Sequence, residues 1–237
     1  MDDLQNGKVA DKVAQPATQA VETAGPDYVW GPPCNSSCCY LILKRLGDFV
    51  VALFLIGFLA PILFLVAVAI CVDSGRPILY RQIRIGKRGK PFRFFKYRSM
   101  VIEAEKVKAD LLDQNEASGP IFKMKNDPRV TRVGRYLRRS SIDELPQLFN
   151  VLRGEISLVG PRPHLPKEVE QYRPDQMERL SVQPGLVCLR EISGRSRLSF
   201  EQWVALDLEY IHRRSLRLDM YIFIKAIGAV VSGDGAY

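Results

Sequence analysis

The stretch DFVVALFLIGFLAPILFLVAVAICVDS (48–74) decides how the rest of the chain must be arranged. Between Phe49 and Val72 no residue is charged. A run of about 24 residues is long enough to cross the hydrocarbon core of a bilayer as a helix. Pro61 resists the simplest version of that reading. It stands in the middle of the run, where it removes a backbone hydrogen bond and crowds the carbonyl of Gly57. The flanks are basic on both sides. Lys44 and Arg45 precede the run, and Arg76, Arg81, Arg84, Lys87 and Arg88 follow it. Lys and Arg excess marks the cytoplasmic side of a membrane segment. If both flanks obey that rule, the segment enters and leaves by one face as a broken, re-entrant helix. If only one does, it is a single spanning helix kinked at Pro61. The residues alone leave both open.

Working outward, the chain has 237 residues and a net charge of +8. That length suits one substantial domain with appendages, and the charge favours anionic partners. Residues 1 to about 38 are rich in Ala, Gln, Thr, Gly and Pro, without apolar periodicity, which predicts a flexible tail. The first turns hold no apolar region of the secretory type. Five cysteines are too few and too irregular for a disulfide framework. Cys34, Cys38 and Cys39 have no histidine near them in sequence, so reduced thiols are expected rather than a metal cluster. The expected organisation is a tail over 1–39, a membrane helix over 40–75 and a domain at the membrane face over 76–237.

Downstream, ILYRQIRIGKRGKPFRFFKYRSM (78–100) alternates apolar and basic residues about a Gly-Lys-Arg-Gly-Lys-Pro turn, a hairpin signature. One face is expected to carry Leu79, Phe92 and Phe94, the other Arg and Lys. EAEKVKADLLDQNEAS (103–118) reads as a polar helix. In DPRVTRVGRYLRRS (127–140) a spacing of three sets Arg129, Arg132, Arg135 and Arg138 along one side of a helix, with Arg139 beside them. The last third contains two helical patterns. In the second, Leu216, Met220, Ile224 and Ile227 share one side, which suits a helix lying among lipid head groups. The predicted class is α+β, mostly helical, with interfacial amphipathic helices and a small β-hairpin.

SIDELPQ (141–147) places Asp143 and Glu144 side by side after the basic stretch. Ser141 and Glu144 match an S-x-x-E capping box. With Ser141 as cap, Pro146 would clash with the carbonyl of Ile142, whereas a start near Asp143 puts it in the tolerant first turn. Either way both acids sit at a helix start, where negative charge is favoured. Neighbouring helical side chains diverge by about 100°, so these two cannot face each other across a cleft as glycosidase carboxylates do. One can act while the other orients it or binds a metal. Surrounding arginines favour the ionised carboxylate and clamp phosphate. In GPRP (160–163), Pro161 and Pro163 hold Arg162 in a stiff turn. QPGLVCLREISGRSRLSF (183–200) adds Arg190, Arg195 and Arg197 as a second anion site. Phosphate-loop, zinc, nucleophile-elbow and dinucleotide fingerprints are missing, as are aromatic-basic nucleic-acid motifs. The inventory suggests phosphoryl-group chemistry at a membrane surface, with nucleic acid not expected as a partner.

KRLGD (44–48), YRQIRIGKRGKPFRFFKYRSM (80–100), DPRVTRVGRYLRRSSIDELPQLFNVLRGEISLVGPRP (127–163) and QPGL with SGR follow in one order. This resembles the bacterial sugar transferase family, the monotopic phosphoglycosyl transferases acting on polyprenol phosphate, over about residues 40–237. The likeness is to the short, catalytic-core type that starts exopolysaccharide assembly. It implies that a UDP-sugar gives its phospho-sugar to undecaprenyl phosphate with release of UMP. It further implies Asp143 as nucleophile through a phosphosugar–aspartyl intermediate, Glu144 as its dyad partner, and Mg²⁺ at Asp143 and Glu144. Lys96, Arg98, Arg138, Pro161, Arg162, Pro163, Arg195 and Asp207 map onto substrate-binding positions. The resemblance favours the re-entrant helix, a site on the cytoplasmic face of the inner membrane, contact with membrane lipids, and room for a homodimer. Relatives commonly read PGLTGLWQVSGR where this chain has PGLVCLREISGR (184–195), so Val187, Cys188, Arg190 and Glu191 bear on the choice of sugar or nucleotide. The competing expectation is a non-catalytic scaffold of a polysaccharide assembly complex, in which Asp143 only caps a helix.

Overall fold

In the computed structural model, which describes residues 37–108, 110–111, 124, 126–194 and 198–232, the apolar run folds as α1, Cys38–Ser74. The predicted tail, most of the polar helix after Lys108, and Arg195 and Arg197 lie outside the described residues. The Ser37 hydroxyl caps α1 by accepting from the Cys39 N–H, and Gly75 ends it at φ +76°. The element is one helix of 37 residues with Pro61 inside it. Among the described residues it alone is long and apolar enough to cross a membrane, with a mean hydropathy of 3.0. One side is bare: Phe54, Phe58, Phe64 and Leu65 are each about two-thirds exposed. The other packs on the rest of the protein.

That rest is built from short elements. The hairpin β1 (Leu79–Ile85) and β2 (Pro91–Tyr97) leads to α2 (Ala104–Lys108) and α3 (Arg132–Arg139). A 3₁₀ segment, Ile142–Gln147, runs into α4 (Leu148–Arg153). Then come β3 (Ser157–Val159), α5 (Pro166–Val169), a second 3₁₀ segment (Pro174–Leu180), β4 (Gly185–Val187) and α6 (Leu189–Ile192). Two longer helices close the chain, α7 (Phe200–Arg213) and α8 (Leu216–Ser232). The core gathers Phe92 and Phe94 of β2, Leu148 and Val151 of α4, Leu158 of β3, Tyr210 of α7 and Ile222 of α8 around Ala52 of α1.

KRLGD fastens α1 to this core. Lys44 pairs with Asp219 of α8 at 2.9 Å. Arg45 donates to the carbonyls of Val151 and Leu152 in the last turn of α4 at 2.6 and 2.8 Å. Asp48 accepts from the Ser157 hydroxyl and the Leu158 N–H. At the other end, the Tyr97 hydroxyl donates to the Leu63 carbonyl and Arg98 to the carbonyls of Ser74 and Gly75. Both ends of the apolar helix are therefore tied to one folded body.

Three expectations change. The hairpin forms with its predicted turn, but its register pairs Arg84 with Phe92, Gln82 with Phe94 and Tyr80 with Lys96. Successive strand residues face opposite ways, so Leu79, opposite Tyr97, lies on the other face from the phenylalanines. The phenylalanine face is instead mixed with cations: Arg84 and Lys96 sit 5.3 and 5.6 Å from the Phe94 ring centroid. Arg129 precedes α3 and is buried in a pair with Asp127 at 2.6 Å, so only the later arginines ride the helix. Ser141 does precede the acidic helix, but at φ +56° and with no side-chain capping bond. The start is a 3₁₀ turn, the tighter geometry that leads past Pro146 into α4.

The α8 pattern holds: Leu216, Met220, Ile224 and Ile227 are all exposed, from 44 to 60%. They continue the apolar surface available to a membrane.

Candidate active site

Asn150 of α4 sets the acidic turn over the hairpin. Its Nδ2 donates to the Arg93 carbonyl at 2.6 Å and its Oδ1 accepts from the Phe95 N–H at 3.2 Å. The neighbouring strand residue, Lys96, then reaches both acids. Its Nζ lies 2.5 Å from Glu144 Oε1 and 3.9 Å from Asp143 Oδ2. Burial raises the Asp143 carboxyl to about 6, reinforced by Glu144 and opposed by Lys96 and Arg138. Glu144 goes the other way, down to about 2. Its burial also disfavours charge, but the cations Lys96 and Arg162 and the bond from Lys96 outweigh it. The Glu144 side chain still turns 23% of its surface outward, toward the cleft. The two neighbours thus differ in kind. Glu144 is a fixed anion bound to a lysine; Asp143 is the more basic and has no hydrogen bond to that lysine.

The facing wall comes from two stitched loops. β3 and β4 pair in parallel, Ser157 with Gly185 and Val159 with Val187. Gly185 N–H then donates to the Pro161 carbonyl at 2.7 Å and Gly160 N–H to the Val187 carbonyl at 3.0 Å. The backbones touch so closely that a Cβ on Gly185 would stand 2.1 Å from the Gly160 nitrogen, which explains glycine at both positions. This brings GPRP beside the loop with Cys188 and Glu191. Ile85 N–H bonds the His164 carbonyl and Arg84 bonds the Pro163 carbonyl, closing the hairpin onto the same turn. A cleft results, lined by Glu144 and Gln147 of the acidic turn, Arg84 and Phe94 of the hairpin, and Arg162, Cys188 and Glu191 of the stitched loops.

Arg162 has no hydrogen bond or salt bridge to any described residue, although Glu144 and Glu191 hold its guanidinium firmly protonated against burial. Arg84 is pushed down to about 10, first by burial and then by the charge of Arg162. Burial lifts the Cys188 thiol to about 12, so it lines the cleft as a neutral group. Such a cleft, with cations waiting beside an ionisable carboxyl, suits a phosphorylated ligand.

A family model described as bacterial sugar transferase matches residues 39–233. The chain belongs to the bacterial sugar transferase family. Galactosyl transferase CpsE of Streptococcus agalactiae serotype III is 43% identical over 201 residues, 83% of this chain and 44% of that protein. Undecaprenyl-phosphate galactose phosphotransferase of Salmonella typhimurium is 39% identical over 203 residues, 82% of this chain and 42% of the other. Exopolysaccharide production protein ExoY of Sinorhizobium fredii is 38% identical over 200 residues, 83% and 88% of the two chains. The chain thus spans less than half of the first two.

Within this family member, Lys96 reaches both Asp143 and Glu144, Arg162 lines the cleft with Glu144, Arg138 is close enough to bias Asp143, and Pro161 and Pro163 are buried on either side of Arg162. Two other predicted contacts are engaged elsewhere. Arg98 is 5% exposed and holds the end of α1. Asp207 is 3% exposed and takes both Nε and Nη2 of Arg179, at 2.9 and 2.5 Å. Sequence reasoning missed the neutral groups. Arg179 donates to the Tyr172 oxygen at 2.9 Å, and the same hydroxyl is hydrogen-bonded to His164 Nδ1 at 2.7 Å. His164 is held well below its usual value by burial and by Arg179, and therefore stays neutral. Gln147 was also missed. Its position three after Glu144 puts it one 3₁₀ turn on, and that spacing was a readable signal.

Proposed function

We propose that the protein is a phosphoglycosyl transferase that moves a sugar phosphate from a UDP-sugar to undecaprenyl phosphate, releasing UMP. The observation that carries this is a cleft in which Glu144, next to Asp143 in the chain, shares the lining with the uncommitted guanidinium of Arg162 while Lys96 reaches both acids. Relatives named as undecaprenyl-phosphate galactose and glucose phosphotransferases support the acceptor.

An Asp143 oxygen attacks the sugar-bearing phosphorus as the bond from that phosphorus to the bridging oxygen breaks, and UMP leaves with the electron pair. The acceptor's phosphate oxygen then attacks the same phosphorus, and the aspartyl–phosphate bond breaks to return the carboxylate. No net proton is needed if the acceptor phosphate is a dianion. Two steps at one site let a water-soluble donor and a lipid acceptor visit in turn. Burial makes Asp143 basic enough to attack, while Lys96 and Arg138 keep it largely ionised at neutral pH. Arg162 meets the diphosphate charge that would otherwise repel the nucleophile. Mg²⁺ takes one or two protein carboxylates alongside substrate phosphates, and the neighbouring carboxylates at this site are Asp143 and Glu144. Asp143 and Glu144 would hold it, and it would neutralise diphosphate charge. Incubating the purified protein with UDP-galactose or UDP-glucose, undecaprenyl phosphate and Mg²⁺ is expected to release UMP stoichiometrically with lipid product. No UMP from a full panel of UDP-sugars would refute the assignment.

The same reading makes α1 re-entrant, with the site on the cytoplasmic face of the inner membrane. Core contacts of α1 run through Val51, Ala52, Leu55 and Ile56, then resume at Leu63, Val66, Ala67 and Ile70. Crossing a bilayer takes about 20 residues clear of the soluble body, and this interval supplies far fewer. Exposed Cys38 and Cys39 lie at one end and exposed Cys71 at the other. In right-side-out and inverted vesicles, single-cysteine versions at these positions are expected to react with an impermeant maleimide from the cytoplasmic side alone. Labelling of the two ends from opposite sides would mean a spanning helix.

A further inference from the structure

Gln147 closes the 3₁₀ segment that carries both acids, and its side chain is 1% exposed. Yet its amide makes no hydrogen bond with any described residue, and Nε2 is sealed from solvent without a partner. Buried amides are nearly always paired, because an unanswered one lowers stability. The exception here lines the cleft between Glu144 and Arg162. Most polar groups around it already have partners. Glu144 is taken by Lys96, and Arg84 donates to the Pro163 carbonyl and to Gln82. Two donors on the cleft wall remain unanswered, the Arg162 guanidinium and the Gln147 amide. Both line the cleft, and Gln147 stands one 3₁₀ turn after Glu144, the neighbour of the nucleophilic carboxyl.

We propose that Gln147 is a substrate-recognition residue whose Nε2, sealed in the empty cleft, is brought out by rotation of the amide and donates to an oxygen of the phospho-sugar that Asp143 receives. This rests on the transfer reaction proposed above. A phosphorus within reach of Asp143 lies against the same short 3₁₀ segment that ends at Gln147. Arg162 neutralises the charge, and the neutral amide answers an oxygen without adding charge. Seating the donor pairs a group that the empty cleft leaves unpaired, so binding recovers what the fold gives up.

Gln147→Met keeps the volume and removes both polar atoms. Three results are expected. UDP-sugar, measured by calorimetry in an Asp143→Asn background so that nothing turns over, binds about tenfold or more weakly when Gln147→Met is added. UMP, which lacks the sugar phosphate, binds with unchanged affinity. The melting temperature of Gln147→Met stays level or rises. If that variant does not fold, the isosteric Gln147→Glu serves, and its anion is expected to weaken UDP-sugar binding further while sparing UMP. Unchanged UDP-sugar affinity overturns the proposal, as does equal weakening of UMP, or a lowered melting temperature, which would make the amide structural. Absence of UMP release by the unsubstituted protein would instead remove the transferase reading itself.

Discussion

Asp143→Asn is expected to abolish turnover, by at least about a thousandfold, and to leave the protein folded and more stable at neutral pH. The loss follows from chemistry. The amide has no anionic oxygen to form the phosphosugar intermediate, and Glu144, bound to Lys96 and held near 2, is too weak a base to replace it. The gain in stability follows from the same burial that makes Asp143 reactive. Its carboxyl is 7% exposed and its value rises from 3.8 to about 6. Two units correspond to about 3 kcal/mol in favour of the neutral form, which Asn imitates. The sign matters. A carboxyl raised on folding contributes stability that is complete below its unfolded value, near 4, and lost as pH climbs through 6. The melting temperatures of parent and variant are therefore expected to converge near pH 4 and to separate up to about pH 6, with the variant higher. In the parent, kcat/KM is expected to fall about tenfold per pH unit below 6, as the free enzyme's nucleophile takes up its proton. A variant that turns over normally, or one that melts lower at pH 7 than at pH 4 by the same margin as the parent, contradicts this account.

How legible was this in the sequence? The hairpin was, because glycines and a proline bracket its turn and the flanking residues alternate. The two closing helices were, because their apolar spacing follows the helical period. The face of the hairpin that carries the chemistry was not. Alternation sets Lys96 on the face of Phe92 and Phe94, but only the register across the hairpin adds Arg84 to it. Burying cations on an aromatic face runs against simple partition of apolar from polar, and only the cleft gives it a reason. Charge-rich segments misled in a second way. Arg98, Arg129 and Asp207 carry the right chemistry for a phosphate site, but Arg129 and Asp207 are paired with buried charges and Arg98 donates to the carbonyls that end α1, and sequence does not say which charges are engaged in the fold. Gln147 illustrates the converse. Its spacing from Glu144 is readable along the chain, but its significance lies in a missing hydrogen bond, which no sequence shows.

Asp207→Leu should be the most destabilising of the changes considered. The Asp207–Arg179 pair is almost wholly buried, with side chains 5% and 3% exposed and a separation of 2.5 Å. Removing one member of such a pair strands the other's charge away from water and costs about 3–5 kcal/mol. For a domain of this size that lowers the melting temperature by about 10 °C. Arg179 also orients Tyr172 and, through it, His164 beside Arg162, so activity should fall with the fold. The double change Asp207→Leu with Arg179→Met removes the stranded charge along with its partner. Replacing a buried ion pair by apolar groups of like volume is often neutral or better, so the double variant should recover most of the lost melting temperature. A direct substrate contact at Asp207 predicts the reverse pattern. The single variant would then melt like the parent and bind UDP-sugar poorly, and adding Arg179→Met would lower stability further. The two patterns separate in one thermal-shift series: a buried pair shows itself by rescue, a binding residue by indifference.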